Sequence, residues 1–203
     1  RVSPSLYQSR EPRVRRAAER LAGVFGDPSV LPRMRVVLAD TAQDDEERFH
    51  AMDILGRFRD TTTVPLYMAL LDEPAFRQRA MQLLAHLDAP HLARTLLERL
   101  DQWSGQDKRV AFDTLTSRSS LALPLLDAVI EGKVDAGQLT AFYLRQMQDL
   151  RSLPVDQGIE KIWGQALPSH GTRLARIEAL QEMYTQAPLW AYDADEGRKH
   201  FQL

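Results

Sequence analysis

Apolar residues recur every three or four positions along most of this chain, and short polar breaks divide them into paired runs. The clearest pair lies at 51–71. AMDILGRFRD carries one apolar stripe, and TTTVPLYMALL carries a second with Pro65 in its first turn. This predicts a helix, a tight turn and an antiparallel helix. No alternation of period two occurs, so the chain is predicted to be all-α.

Versions of this unit recur. An Ala-x-x-x-Leu marker falls at Ala17 and Leu21, Ala51 and Leu55, Ala80 and Leu84, and Ala111 and Leu115, with the alanines 34, 29 and 31 residues apart. A fifth unit opens 30 residues further on at Ala141, its Leu displaced to Leu144. The small Ala permits close helix approach, and the Leu four residues later fills the same face. Two helices per unit at a period of about thirty predict an α-solenoid of about five helical hairpins, HEAT- or armadillo-like, plus C-terminal helices.

The predicted helices cover 12–25, 29–39, 44–58, 63–71, 74–87, 88–103, 106–116, 120–130, 138–151, 156–163 and 172–186. Ser29, and Ser119 or Ser120, are the expected caps of second helices, with Pro32 and Pro124 in first turns. Asp44, Asp45, Glu46 and Glu47 suit a helix start, and Arg57 and Arg59 a helix end. Gly56 inside a helix costs about 1 kcal/mol against Ala, which a close helix crossing would explain. Gly164 and Pro188 are expected stops.

Composition narrows the picture. The 203 residues are 44% hydrophobic and 27% charged, which fits one globular domain or one repeat array. No apolar run reaches eighteen residues, so no membrane span is expected, and no signal-type segment opens the chain. The chain begins at Arg1 rather than Met and is expected to be a segment of a longer protein. Its net charge of −2 provides no overall attraction to nucleic acid or anionic membranes. The first 35 residues are nevertheless Arg-rich, and Arg13, Arg16, Arg20, Arg33 and Arg35 form a candidate docking face; the alternative is a solvated helix face. With no Cys, disulfides, thiol nucleophiles and thioether haem attachment are excluded within these residues.

Candidate chemistry is sparse. His50, His86, His91, His170 and His200 show no metal-ligand spacing, and no dinucleotide, P-loop or nucleophile-elbow motif occurs. Asp44 to Glu47 read as a helix N-terminus rather than paired catalytic carboxylates. Trp103, Trp163, Met68 and Met81 read as core, and Tyr67 and Tyr143 as core or shoulder packing. No catalytic, cofactor-binding or metal-ligating residue is assigned. A HEAT-like DNA glycosylase needs a basic groove throughout, whereas later units mix in Asp72, Glu73, Asp88, Glu98, Asp101 and Asp107, so no nucleic acid partner is expected.

The final stretch, DADEGRKHFQL at 193–203, sets Gly197 four residues before Phe201 on a capped helix. It resembles the opening helix of a c-type cytochrome domain; the alternative is an ordinary tail helix. With SRSSLALPLLDAVIEGKV, FYLRQMQDL and IEKIWG, the chain resembles the HEAT-like repeat region of large planctomycete-type exported haem-binding proteins. In those proteins a sugar-dehydrogenase-like domain precedes the repeats and a c-type cytochrome domain follows.

The resemblance implies two parts: a HEAT-like solenoid at 1–187, then a linker and the start of a cytochrome-like domain at 188–203. It implies covalent haem c beyond Leu203 and none within this segment, and a periplasmic or otherwise extracytoplasmic location. The expected role is a non-catalytic scaffold between the two flanking domains of the same chain in an electron-transfer protein. A free-standing adaptor that binds a protein partner in its concave groove, in the cytoplasm or outside it, is the alternative; a DNA-binding or glycosylase protein is the third reading.

Overall fold

The computed structural model describes residues 4–7, 9–103, 105–164, 177–183 and 185. Every regular element among the described residues is helical, and none is a strand. The chain is all-α. Of the expected helix at 172–186, residues 177–183 and 185 are helical. The remainder of its ends, His170, and the cytochrome-like stretch 188–203 with Gly197, His200 and Phe201 lie outside the described residues.

The elements are α1 (Pro4–Tyr7), α2 (Pro12–Phe25), α3 (Leu31–Ala39), α4 (Asp45–Phe58), α5 (Val64–Leu70), α6 (Pro74–Leu84), α7 (Leu92–Arg99), α8 (Gly105–Leu115), α9 (Ser119–Ile130), α10 (Ala141–Gln148) and α11 (Leu153–Trp163). Proline occupies the first or second position of α2, α3, α5, α6 and α11, where its missing N–H removes no helical bond. Asp44 caps α4 by accepting the Glu47 backbone N–H at 2.8 Å.

Several expected starts are corrected. Ser29 does not cap α3. Asp27 accepts the Ser29 backbone N–H at 3.2 Å and sets a 3-10 turn that runs into α3. Asp60 does the same before α5. Ser119 and Ser120 are the first two residues of α9 rather than its cap; extended Arg118 occupies that position. Pro124 therefore falls inside α9 and deprives the Ser120 carbonyl of its helical donor. The segment Asp88-Ala89-Pro90 is not helical, because the residue before proline is pushed out of the helical region; a turn closed by the Leu92 N–H on the Ala89 carbonyl at 3.2 Å leads into α7. α7 begins only after His91, which is left-handed at φ 68°. α11 begins at Leu153, earlier than the expected 156.

The repeat marker holds in the middle of the chain and slips at both ends. Ala51, Leu55, Ala80, Leu84, Ala111 and Leu115 are all buried. In α2 the inward pair is Ala18 and Ala22, whereas Leu21 is 47% exposed. In α10 the expected Leu144 is buried, together with Tyr143 and Met147, whereas Ala141 is exposed in the first turn and Tyr143 takes the inward place. The corrected series is spaced 33, 29, 31 and 32 residues.

Packing joins near neighbours in the chain. α3 lies along α4 and α5 along α6, while α2 meets α4, α6 meets α8, and α9 meets both α7 and α11. These contacts are more extensive than those within the expected hairpin at 51–71, where the Tyr67 hydroxyl of α5 donates to the Met52 carbonyl of α4 at 3.5 Å. A Cβ on Gly56 would lie 2.5 Å from Leu83 Cδ2, so the Leu83 side chain of α6 fills the space beside Gly56 that a larger residue would need. One apolar cluster runs from Ala22 to Tyr143; a second gathers Ala122, Leu126, Leu144, Met147, Val155 and Ile159. Ile162 and Trp163 pack against both.

Candidate docking surface

Charged side chains at the helix junctions are spent largely on one another. Arg15, Arg48 and Arg77 each precede a buried alanine (Ala18, Ala51, Ala80) by three residues. Each reaches a carboxylate of the next unit: Arg15 Nη2 to Glu47 at 3.3 Å, Arg48 to Glu73 at 2.7 and 2.9 Å, and Arg77 Nη1 to Asp107 at 2.7 Å. Arg48 also lies 4.3 Å from the centre of the Phe76 ring, and Arg77 5.7 Å from that of Trp103. The hydrogen bond from Arg48 holds the Glu73 carboxyl below its ordinary range, against a smaller opposing effect of burial. These contacts are rungs between the first helices of successive units, α2, α4, α6 and α8.

The five arginines of the expected docking face divide into two groups. Arg16 pairs with Glu46 and approaches Glu47 at 3.6 Å. Arg33 lies 3.1 Å from Glu19 and donates to the Tyr7 carbonyl at 2.6 Å. Arg35 donates to Asp60 at 2.7 Å. Burial pushes the Asp60 carboxyl up, but hydrogen bonds from Thr62, Arg35 and Thr63 outweigh it and leave it below the ordinary range. Arg13 and Arg20 are exposed and form no ion pair among the described residues.

The carboxylates at 44–47 follow the same logic. Asp44 caps, and Asp45, Glu46 and Glu47 occupy the first turn of α4, where the helix dipole favours them. Glu46 and Glu47 also receive Arg16 and Arg15. His50 Nε2 sits 2.9 Å from the fully buried Glu19. With Arg33 on the other carboxylate oxygen, this cluster ties α2, α3 and α4 together. His86 and His91 are exposed. Among the described residues no three His, Asp or Glu side chains converge on a metal-sized site. Tyr67 and Met81 are fully buried, Trp103 and Tyr143 nearly so, and Met68 and Trp163 border the core.

Arg13 and Arg20 stand beside an apolar stripe that α2 turns away from the core. Val14 is 42% exposed, Leu21 47%, Val24 65% and Phe25 73%. The opposite side of the same helix is buried through Ala18, Glu19 and Ala22. Thus α2 has two apolar faces, and α4 covers only one. The repeat marker concealed this, since Ala17 and Leu21 belong to the outer face. The signal was present in the heptad spacing of Val14, Ala17, Leu21 and Val24.

A recess lies between α7 and α9. It encloses about 560 Å³ over Leu97, Pro124, Ala128 and Val134. Its rim charges are mostly paired, Arg94 with Glu98 at 2.7 Å and Lys133 with Glu131 at 2.6 Å. In α8, burial pushes the Asp113 carboxyl up, with Arg109 opposing. Burial, followed by Asp113, likewise raises the Tyr143 hydroxyl.

No protein-family model matches the sequence, and no curated protein is significantly similar to it.

Proposed function

We propose that this chain is a non-catalytic α-solenoid that acts as an interaction scaffold. The observation that carries this reading is the set of rungs from Arg15, Arg48 and Arg77, each reaching one unit forward from an equivalent position. Contacts that run only between neighbours produce a stiff, extended array rather than a catalytic cleft. The buried Ala and Leu pairs supply the shared apolar spine of such an array.

On the resemblance stated above, the array would separate a dehydrogenase-like domain from a c-type cytochrome domain in an extracytoplasmic electron-transfer protein. A rigid spacer there restricts how closely the haem approaches its electron donor. Haem c would be attached beyond Leu203, outside the described residues. Reading the gene past Leu203 tests this. A Cys-x-x-Cys-His motif within the next dozen codons, with a covalent haem absorbance in the purified full-length protein, supports it; a stop codon there overturns it.

The second reading is a free-standing adaptor, and the exposed outer face of α2 favours it. Both readings share the scaffold. They differ in whether the partner is a flanking domain of the same chain or a separate protein. A duplex-DNA mobility shift that weakens with salt would instead revive the nucleic-acid reading.

A further inference from the structure

We propose that the outer face of α2 is a coiled-coil-type docking site for an acidic amphipathic helix of a partner protein. This rests on the scaffold reading and names the partner of its exposed end.

In heptad terms Val14 and Leu21 occupy a positions, and Ala17 and Val24 occupy d positions. Arg13 and Arg20 then both fall at g, and Phe25 at e. The a and d residues form the seam into which a partner's knobs pack, and g residues select the partner by charge. The positions used internally are different ones: Arg15, Ala18, Glu19 and Ala22 face α4 or its neighbours. The seam is therefore not a by-product of core packing. It carries four apolar positions in register and two arginines with no ion pair among the described residues. A complementary helix presents apolar residues at its own a and d positions and Glu or Asp opposite Arg13 and Arg20.

Two other occupants fit less well. Anionic membranes recruit helices through clusters of about four to eight Lys or Arg. Here Arg15 and Arg16 are neutralised by Glu47 and Glu46, which leaves two on the flank. An antiparallel pairing of two copies through this seam would set the g-position arginines against each other. Two heptads make a small interface, so the complex belongs to the weak, transient class.

The test uses the full chain and a fluorescently labelled three-heptad synthetic peptide with Leu at a and d and Glu at e and g. Fluorescence anisotropy should show saturable binding at low salt. The Arg13→Glu, Arg20→Glu double variant should bind it about tenfold or more weakly, as expected for losing two rim attractions and gaining two repulsions. The same variant should prefer a peptide with Lys in place of Glu. Both substitutions lie on an exposed face, and unchanged circular dichroism and melting temperature will show that the fold is retained.

Equal binding of the Glu and Lys peptides overturns the proposal, as does no binding of either. Concentration-dependent dimerisation in ultracentrifugation that Leu21→Glu abolishes would reassign the seam to a second copy. Sedimentation with phosphatidylserine vesicles that Leu21→Glu abolishes would reassign it to lipid. The scaffold reading stands or falls separately, on the rung and register measurements below.

Discussion

Arg48 donates both of its terminal nitrogens to the two carboxylate oxygens of Glu73, at 2.7 and 2.9 Å, across the junction between α4 and α6. The guanidinium is almost wholly buried, lies over the Phe76 ring and sends its Nε to the Leu38 carbonyl at 3.3 Å. A planar, bidentate donor suits this position better than the point charge of a lysine.

Replacing Arg48 by Met keeps much of the volume but leaves Glu73 without its partner. Glu73 is partly exposed and can recover water, which reduces the loss. The expected destabilisation is about 2 kcal/mol, read from the urea midpoint. Arg48→Lys should recover less than half of it, because the bidentate geometry and the ring contact are lost.

The same rung sets a pH dependence. The folded-state carboxyl of Glu73 lies below its ordinary value of 4.5, so the folded chain binds its proton less readily than the unfolded chain does. The stabilisation is therefore present above pH 4.5 and declines as pH falls through the depressed folded value. Glu73→Gln should lower stability at neutral pH and flatten the acid limb of the stability profile. Urea titrations at stepped pH values measure both effects; an unchanged slope below pH 4.5 would count against the rung.

The Gly56 position predicts non-additivity. Gly56→Ala gains about 1 kcal/mol of helix propensity but drives its new methyl into the Leu83 side chain. The single substitution should be neutral or destabilising. In a Leu83→Ala background, where the obstruction is gone, the same substitution should stabilise by about 1 kcal/mol. A double-mutant cycle with no coupling would show that the Leu83 side chain does not occupy the space beside Gly56.

Burial separates the inward-facing members of the Ala-x-x-x-Leu series from the outward-facing one. Leu55→Ala, Leu84→Ala or Leu115→Ala should each cost about 2–5 kcal/mol, since these side chains are fully enclosed. Leu21→Ala occupies the same place in the sequence marker but faces outward, and should fall within about 0.5 kcal/mol of wild type. Thermal or urea unfolding of the four variants decides the matter.

Element boundaries were legible where a proline, a glycine or an acidic first turn marked both the position and the type of the helix end, as in α2 and α4. Pro12 and Gly26 bracket α2, and its predicted span of 12–25 matches the structure. Asp44 and the acidic turn behind it announce α4 equally clearly. Register at the ends was not legible, because α2 is apolar on two sides. A pattern argument selects the larger Leu21, whereas close approach of α4 requires the smaller Ala18 and Ala22. The rungs were hidden for a related reason. Their cations hold a constant offset from the alanines, but the acids do not. Glu47 and Asp107 lie in first turns, while Glu73 stands just before α6. Likewise Arg16, Arg33 and Arg35 read as a surface cluster until their partners in other elements were visible.

The rung architecture bears on how such a chain grows. Three successive joints, α2 to α4, α4 to α6 and α6 to α8, are each made by one cation at a constant offset and one acid near the start of the first helix of the next unit. A duplicated unit would thus arrive already carrying both halves of its own connectors. On the proposed solenoid reading, insertion or loss of a whole unit would change the reach of the molecule without requiring new chemistry at either splice, whereas a shift of one residue would misalign every contact at that joint.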